Sequence, residues 1–220
     1  VDLGSDRTAR VIATGGSHTC AILDNLAIDN LKCWGRSDEG QMGKGYKFGS
    51  NFQIGDGSGE MGNNLVAIEL GTGRTATAIA AGKYHNCAIL DNSSIKCWGS
   101  NTAGQLGLGD SNNRGDLDSL GSSEMGDNLP VVDLGAGRTA RGITAGDNQT
   151  CAILDNESIK CWGSNASGQL GQGDTNNRGD GSGEMGDSLT AVDLGNERTA
   201  KAIAAGNQHT CAILDNSSVK

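Results

Sequence analysis

Apolar and polar residues in this chain alternate in short runs, and each run is closed by a turn signal. Thr75 to Ala80 reads TATAIA and Thr199 to Ala204 reads TAKAIA. Period-two alternation over so few residues predicts half-buried strands. After the first of these come two further runs, Cys-Ala-Ile-Leu and then Ile-Lys-Cys-Trp; after the second comes Cys-Ala-Ile-Leu and then only Val219-Lys220; and another run, VDLG or AIEL, comes before each. Between the Cys-Ala-Ile-Leu and Ile-Lys-Cys-Trp runs lies Asp-Asn-x-Ser. Its Asp and Asn bond their own backbone and tolerate a left-handed conformation. Ala-Gly supplies a second tight turn ahead of Cys-Ala-Ile-Leu. The expected unit is four short strands with their turns.

That unit is copied. Cys87 to Gly99 reads CAILDNSSIKCWG and Cys151 to Gly163 reads CAILDNESIKCWG. Cys20 to Gly35 reads CAILDNLAIDNLKCWG, and Cys211 to Lys220 reads CAILDNSSVK. A Leu-Gly pair recurs at Leu3, Leu70, Leu134 and Leu194, at intervals of 67, 64 and 60 residues. The units therefore run over about 3–69, 70–133, 134–193 and 194–220, in one continuous body. Four strands at this period point to a β-propeller blade, not to a helical solenoid or a one-strand-per-turn β-helix. The expected fold is all-β and a partial propeller, with three complete four-stranded units and an incomplete fourth. The chain starts at Val1, shows no secretion leader, and breaks off inside a repeat, as expected of a segment from a longer array. An open half-ring would leave unpaired strand edges, through which such a body associates.

Composition narrows the function classes. The 36 Gly among 220 residues suit many tight turns and not helices, and the one proline, Pro130, excludes a polyproline or collagen-like reading. A net charge of −9 with no basic patch speaks against nucleic acid as a partner. No apolar run approaches the ~20 residues of a membrane helix, so no membrane span is expected. No nucleophile–base pair, phosphate cradle or metal constellation stands out, and the expectation is a protein that is not an enzyme and carries no cofactor.

Seven Cys follow one rule. Cys20 and Cys33, Cys87 and Cys97, and Cys151 and Cys161 bracket the same hairpin in successive units. On neighbouring antiparallel strands such residues face each other with α-carbons about 4.5 Å apart, near the short end of the disulfide range. One bridge per unit would stabilise by about 2–3 kcal/mol and would imply an oxidising compartment. Free thiols and a metal site are the alternatives, although the spacing lacks the form of a zinc site. Cys211 stands where the first member of a fourth pair belongs, without a partner in the sequence.

Other residues recur once per unit. His18, His85 and His209 each lie two positions before the first Cys, and Gln149 takes that place in unit three. A substitutable amide indicates local hydrogen bonding and not catalysis. Trp34, Trp98 and Trp162 are expected between blades; a light-sensing Trp cluster would need several per unit. Arg7, Arg74, Arg138 and Arg198 precede Thr-Ala and are expected in a repeated ion pair or backbone contact. The loop from Asp174 through Asn176 to Asp180 partly matches a calcium-loop opening, but Arg178, like Arg114 one unit earlier, stands where an oxygen ligand belongs. An Asx-turn loop is the reading preferred, with calcium as the alternative. Arg114-Gly-Asp116 and Arg178-Gly-Asp180 are integrin-type tripeptides, a weak signal. Of five Asn-x-Ser/Thr sequons, at Asn92, Asn148, Asn156, Asn165 and Asn216, three (Asn92, Asn156 and Asn216) fall on the same hairpin tip, where a glycan would be accepted.

The glycine-punctuated stretch after each Trp adds a family. Cys-Ala-Ile-Leu, Cys-Trp-Gly and the Gly-Gln-Leu-Gly-x-Gly of Gly104 to Gly109 and Gly168 to Gly173 resemble the RCC1 (regulator of chromosome condensation) repeat across essentially the whole chain. The resemblance implies a propeller, usually of seven blades. These units are longer by an acidic loop ending Gly-Glu-Met-Gly, as at Gly183 to Gly186. Paired Cys, sequons and acidity favour a secreted or surface scaffold for protein contact, or for self-assembly through open edges. The family's namesake implies an alternative, nucleotide exchange on a small GTPase, and a bacterial branch implies another, inhibition of a secreted enzyme. Unit one departs most from its copies, and the loop holding Tyr46, Phe48 and Phe52 is the expected partner contact.

Overall fold

The computed structural model describes residues 1–24, 30–44, 53–116 and 123–220. Twelve strands and three single-turn 3-10 helices form among them. The first sheet is β1 (Ala9–Thr14), β2 (His18–Leu23), β3 (Leu31–Arg36) and β4 (Gln53–Ile54). The second is β5 (Ala76–Ala81), β6 (His85–Leu90) and β7 (Ile95–Gly99). The third is β8 (Ala140–Ala145), β9 (Gln149–Leu154) and β10 (Ile159–Gly163), and the fourth is β11 (Ala200–Ala205) with β12 (Thr210–Leu214). Every sheet is an antiparallel meander in chain order. Among the described residues no helix is long and apolar enough to cross a membrane.

The alternating run and the Cys-Ala-Ile-Leu run of all four copies, and the Lys-Cys-Trp run of the first three, are thus strands, as their patterning predicts. The opening run is not. VDLG and AIEL make no strand of their own; instead Ile68, Val132 and Val192 each donate one backbone N–H to the preceding sheet, to the carbonyls of Leu31, Ile95 and Ile159, at 2.7, 2.9 and 2.8 Å. At the other end of that same edge, Arg114 bridges Gly99 and Arg178 bridges Gly163, while β4 pairs with Gly35 and Arg36 in the first sheet. The outer edge of each of the first three sheets is therefore covered in two pieces, one from the loop after Trp-Gly and one from the start of the next unit. Leu70, Val132, Leu134 and Leu194 turn into the core, and each of these runs spends one backbone N–H on the neighbouring sheet.

The first strands of the four sheets follow one another, β1 beside β5, β5 beside β8 and β8 beside β11. Ala dominates them, and its short side chain lets neighbouring blades approach. The apolar cores lie between sheets. One joins Ile22, Leu31, Met42 and Leu65 to Leu90 and Trp98; the next joins Ile95, Leu106 and Val132 to Leu154 and Trp162; the third joins Ile159 and Leu170 to Leu194 and Leu214. The arc stays open, since β1 and β11 do not pair.

Candidate interaction site

The staples come first because they fix the blades on which everything else stands. Strand register puts Cys20 opposite Cys33, Cys87 opposite Cys97 and Cys151 opposite Cys161. All three pairs are disulfide-bonded, with α-carbons 4.1 Å apart. Cys211 is free and exposed.

A repeated polar joint binds each blade to the next. His18 Nε2–H donates to Asn86 Oδ1 at 2.9 Å, across the first joint. At the second joint His85 Nε2 stands 2.9 Å from Thr150 Oγ1. The Thr150 hydroxyl spends its own proton on the Gln105 carbonyl, 2.9 Å away, so the His85 ring is the donor. At the third joint Gln149 Nε2 donates to the Gly206 carbonyl at 3.0 Å. The same task passes from imidazole to amide, as the sequence substitution implies. His85 is fully buried, and its Nδ1 has no hydrogen-bond partner among the described residues. A proton there would create an unpaired buried charge, and burial, with repulsion from His18, pulls the His85 pKa down to about 3.

The Trp residues close the joints. Trp98 and Trp162 are 0% exposed, and their Nε1–H groups donate to the carbonyls of Gln41 and Gln105, both at 3.1 Å. Asn86 Nδ2 adds a second bond to the Gln41 carbonyl at 2.8 Å. Trp34 is half-buried and packs against the first core.

Sequence reasoning missed the lysines of Ile-Lys-Cys-Trp. Lys32, Lys96 and Lys160 are buried. Their ammonium groups clamp the 3-10 turns: Lys32 donates to Leu3 and Gly62 carbonyls at 2.8 and 2.9 Å, Lys96 to Gly126 at 2.7 Å, Lys160 to Leu134 and Gly186 at 3.0 and 2.8 Å. Burial lowers all three pKa values. The available signal was an invariant charge in the middle of an otherwise apolar strand.

Arg74, Arg138 and Arg198 pair with the hairpin-tip carboxylates Asp91, Asp155 and Asp215 at 3.4, 3.2 and 3.1 Å. In Arg7, Nε and Nη2 are buried without a hydrogen-bond partner among the described residues. The acidic loops close on themselves. Arg114 and Arg178 fold back onto Asp110 and Asp174 at 2.7 and 2.6 Å and onto their loops' own carbonyls, so neither Arg-Gly-Asp presents a free guanidinium. Asp174 Oδ1 also accepts from the Asn176 N–H, the Asx turn expected there. Among the described residues no three His, Cys, Asp or Glu side chains gather as a metal site.

Asn92, Asn156 and Asn216 sit exposed on their hairpin tips, and each Oδ1 accepts from the hydroxyl two residues on, at 2.7, 2.8 and 2.7 Å. Asn165 is different: it is buried and its Nδ2 donates to Asp174. Tyr46, Phe48 and Phe52 lie outside the described residues.

What remains is a rim on which the copies differ. The turns between the first and second strands of the four blades are hydrogen-bonded in a belt around the inner edge. Gly16 N–H donates to Lys83 O, Lys83 N–H to Asp147 O and Asp147 N–H to Asn207 O, all at 3.2 Å. The leading glycine is obligatory: a Cβ on Gly82 would lie 2.2 Å from His85 Cε1 and 2.5 Å from the Gly146 carbonyl. The next two residues are free to vary, and they do, as Gly16-Ser17, Lys83-Tyr84, Asp147-Asn148 and Asn207-Gln208. Tyr84 stands out. Arg36 lies 5.2 Å and Lys83 Nζ 5.4 Å from its ring centroid, in cation–π range. Lys83 also reaches Asp147 on the next blade at 3.9 Å, and Arg36 Nε donates to Asp38 at 2.8 Å. An aromatic ring between two half-exposed cations is what an acidic or aromatic protein surface could engage. Comparing the copies dipeptide by dipeptide would have exposed this rim; comparing their lengths led instead to the Tyr46 loop.

The description Regulator of chromosome condensation (RCC1) repeat matches residues 76–105 and 140–169. The Ultraviolet-B receptor UVR8 of Arabidopsis thaliana is 27% identical over 212 residues, covering 95% of this chain and 40% of that protein. Yeast RCC1 (Prp20), solved bound to Kap60, superposes with a TM-score of 0.65 at 17% identity, over 92% of this chain and 41% of that one. The CRINKLY WD40 ectodomain of the Arabidopsis thaliana receptor kinase ACR4 gives 0.56 at 21% identity, over 98% of this chain and 56% of that one. The chain thus spans about 40% of the length of its curated relative UVR8. At these identities the structural likeness establishes a fold, the RCC1-type β-propeller.

Proposed function

Because the chain is built of RCC1 repeats, we propose that it is a non-enzymatic scaffold for protein–protein contact, working in an oxidising, extracellular or cell-surface setting. The observation that carries the reading is the variable rim: three nearly identical blades differ where Lys83 and Tyr84 meet Arg36. A scaffold whose copies are otherwise equal needs such a departure to be specific. Tyr and Arg are also the residue types that anchor interfaces. The setting is supported by one disulfide in each of three hairpins, which cytosolic proteins rarely keep. Among similar solved structures, one is a receptor-kinase ectodomain and another is yeast RCC1 bound to Kap60. Here the disulfides favour the first kind of setting.

The test is binding of the fluorescently labelled chain to intact cells of its source. Replacing Lys83 and Tyr84 together by Asp147-Asn148-type residues, Lys83→Asp with Tyr84→Asn, keeps the turn and removes the anchor. Saturable binding that the double variant loses supports the reading. Equal binding by both proteins refutes the rim as the contact.

A further inference from the structure

The copies also differ on their outer wall, and the second of them carries an apolar seat there. Leu108, Pro130, Val131 and Met185 line an open cavity of about 260 Å³ between the second and third blades, with Asp133 at the same wall. Val131 is 52% exposed, and Pro130 is exposed beside it. The backbone explains this: Val132 turns into the core and gives its N–H to Ile95, so its neighbour Val131 faces out. The third copy shows the same place closed. There Gln172 stands for Leu108, Thr190 for Pro130 and Ala191 for Val131. Gln172 Nε2 donates to the Thr190 carbonyl at 3.1 Å, and the Thr190 hydroxyl donates back to Gln172 Oε1. The first copy has Lys44, Val66 and Ala67 at these positions. Of the three, the second copy alone combines two large aliphatic side chains with a proline, which brings no N–H to the wall.

The charge around the seat has one sign. Asp133 lines it, Glu184 immediately precedes Met185, and Asp187 follows two residues on. Asp133 accepts from the Gly135 N–H, Glu184 from those of Gly179 and Gly181, and Asp187 from that of Ala136. The buried Lys160 ammonium acts on both Asp133 and Asp187. Three carboxylates against one ammonium leave this wall negative. We propose that the seat docks an extended segment of a partner protein that offers one leucine-sized side chain flanked by lysine or arginine. The volume sets the side chain, since a cavity of roughly 150 Å³ already holds a benzene-sized group. The wall sets the flanks, because basic residues complement it. A second copy of the chain is a poor occupant, since it brings a net charge of −9 to a negative wall. The seat lies on the outer edge, apart from Tyr84 and Arg36 on the inner rim, so the two contacts stand or fall separately.

The probe is acetyl-Lys-Leu-Lys-Lys-amide, titrated into the whole chain labelled at its methyl groups and followed by nuclear magnetic resonance. The methyl signals of Leu108, Val131 and Met185 should shift saturably. Serine in place of the peptide's leucine should weaken binding about ten-fold or more, the loss expected when one aliphatic side chain leaves its seat. The peptide with glutamate in place of each lysine should not bind. Two variants copy residues that the chain already uses at this place. Leu108→Gln with Pro130→Thr installs the third copy's closing pair and should abolish the shifts. Val131→Ala, the residue of Ala67 and Ala191, keeps the backbone and should weaken the leucine peptide but not the serine peptide. Equal dissociation constants for the leucine and serine peptides overturn the seat. So do shifts that persist in the double variant, a glutamate peptide that binds as well as the lysine one, or methyl shifts that follow protein concentration without peptide, which would make a second copy the occupant.

Discussion

Replacing His85 by Gln tests the blade joint in a way that separates hydrogen bonding from charge. The third joint already uses Gln149 for this task, so the variant keeps a donor of proven fit. The sign of the effect follows from burial. His85 is held near a pKa of about 3 in the folded chain, while an unfolded histidine titrates near ~6.5. Between these values the unfolded state binds a proton that the folded state refuses, so stability is complete above neutral pH and falls as the solution is acidified towards about 3. At roughly 1 kcal/mol or a little more per pH unit, acidification from pH 7 to pH 4 costs about 3 kcal/mol through this one ring. Carboxylates and His18 contribute in both proteins and cancel in the comparison. The assay is urea unfolding of wild type and His85→Gln at both pH values. The variant should lose about 3 kcal/mol less than wild type on acidification. If both lose the same amount, His85 is not held neutral by the joint, and the burial argument fails.

The other predictions concern single features. Lys96→Met should destabilise by about 2 kcal/mol in urea titration, since it leaves the Gly126 carbonyl without its charged donor; a neutral or stabilising effect would deny the clamp. Removing one staple, Cys87→Ala with Cys97→Ala, should cost about 3 kcal/mol or more, because the loop entropy of the unfolded chain returns and two fully buried sulfurs are lost. Passage through a eukaryotic secretory host should put glycans on the tips Asn92, Asn156 and Asn216 and none on Asn165, whose amide is spent on Asp174; peptide mapping decides, and an occupied Asn165 in folded protein contradicts the loop geometry. Changing Tyr46, Phe48 and Phe52 together to Ser should abolish partner binding if that loop shares the contact, and unchanged binding removes it.

Which features could be read in advance depended on the number of residues each one needs. The strands β5, β6 and β7 need only their own alternation and one Asp-Asn turn, and local pattern suffices for them. The disulfides follow from register, because two Cys flanking one hairpin must face each other once the strands pair. The opening runs misled because VDLG is apolar enough for a strand, while its partner is the previous blade's Ile95 or Ile159, a relation no local window contains. The joint through His18 and Asn86 spans 68 residues, so histidine could be marked as structural but not given its partner. Lys96 went unremarked because a charged side chain in a strand reads as solvent-facing until the carbonyls above it are known. The rim escaped for the same reason, since Arg36 and Tyr84 come from different blades.

The most direct test of the scaffold account is the thiol state of the native protein, alkylated before any reductant is added and then mass-mapped. The account predicts Cys20–Cys33, Cys87–Cys97 and Cys151–Cys161 as intact, unalkylated pairs in material taken from the source. Alkylated Cys87 and Cys97 in that material would contradict an oxidising location and turn attention to a regulatory propeller inside the cell.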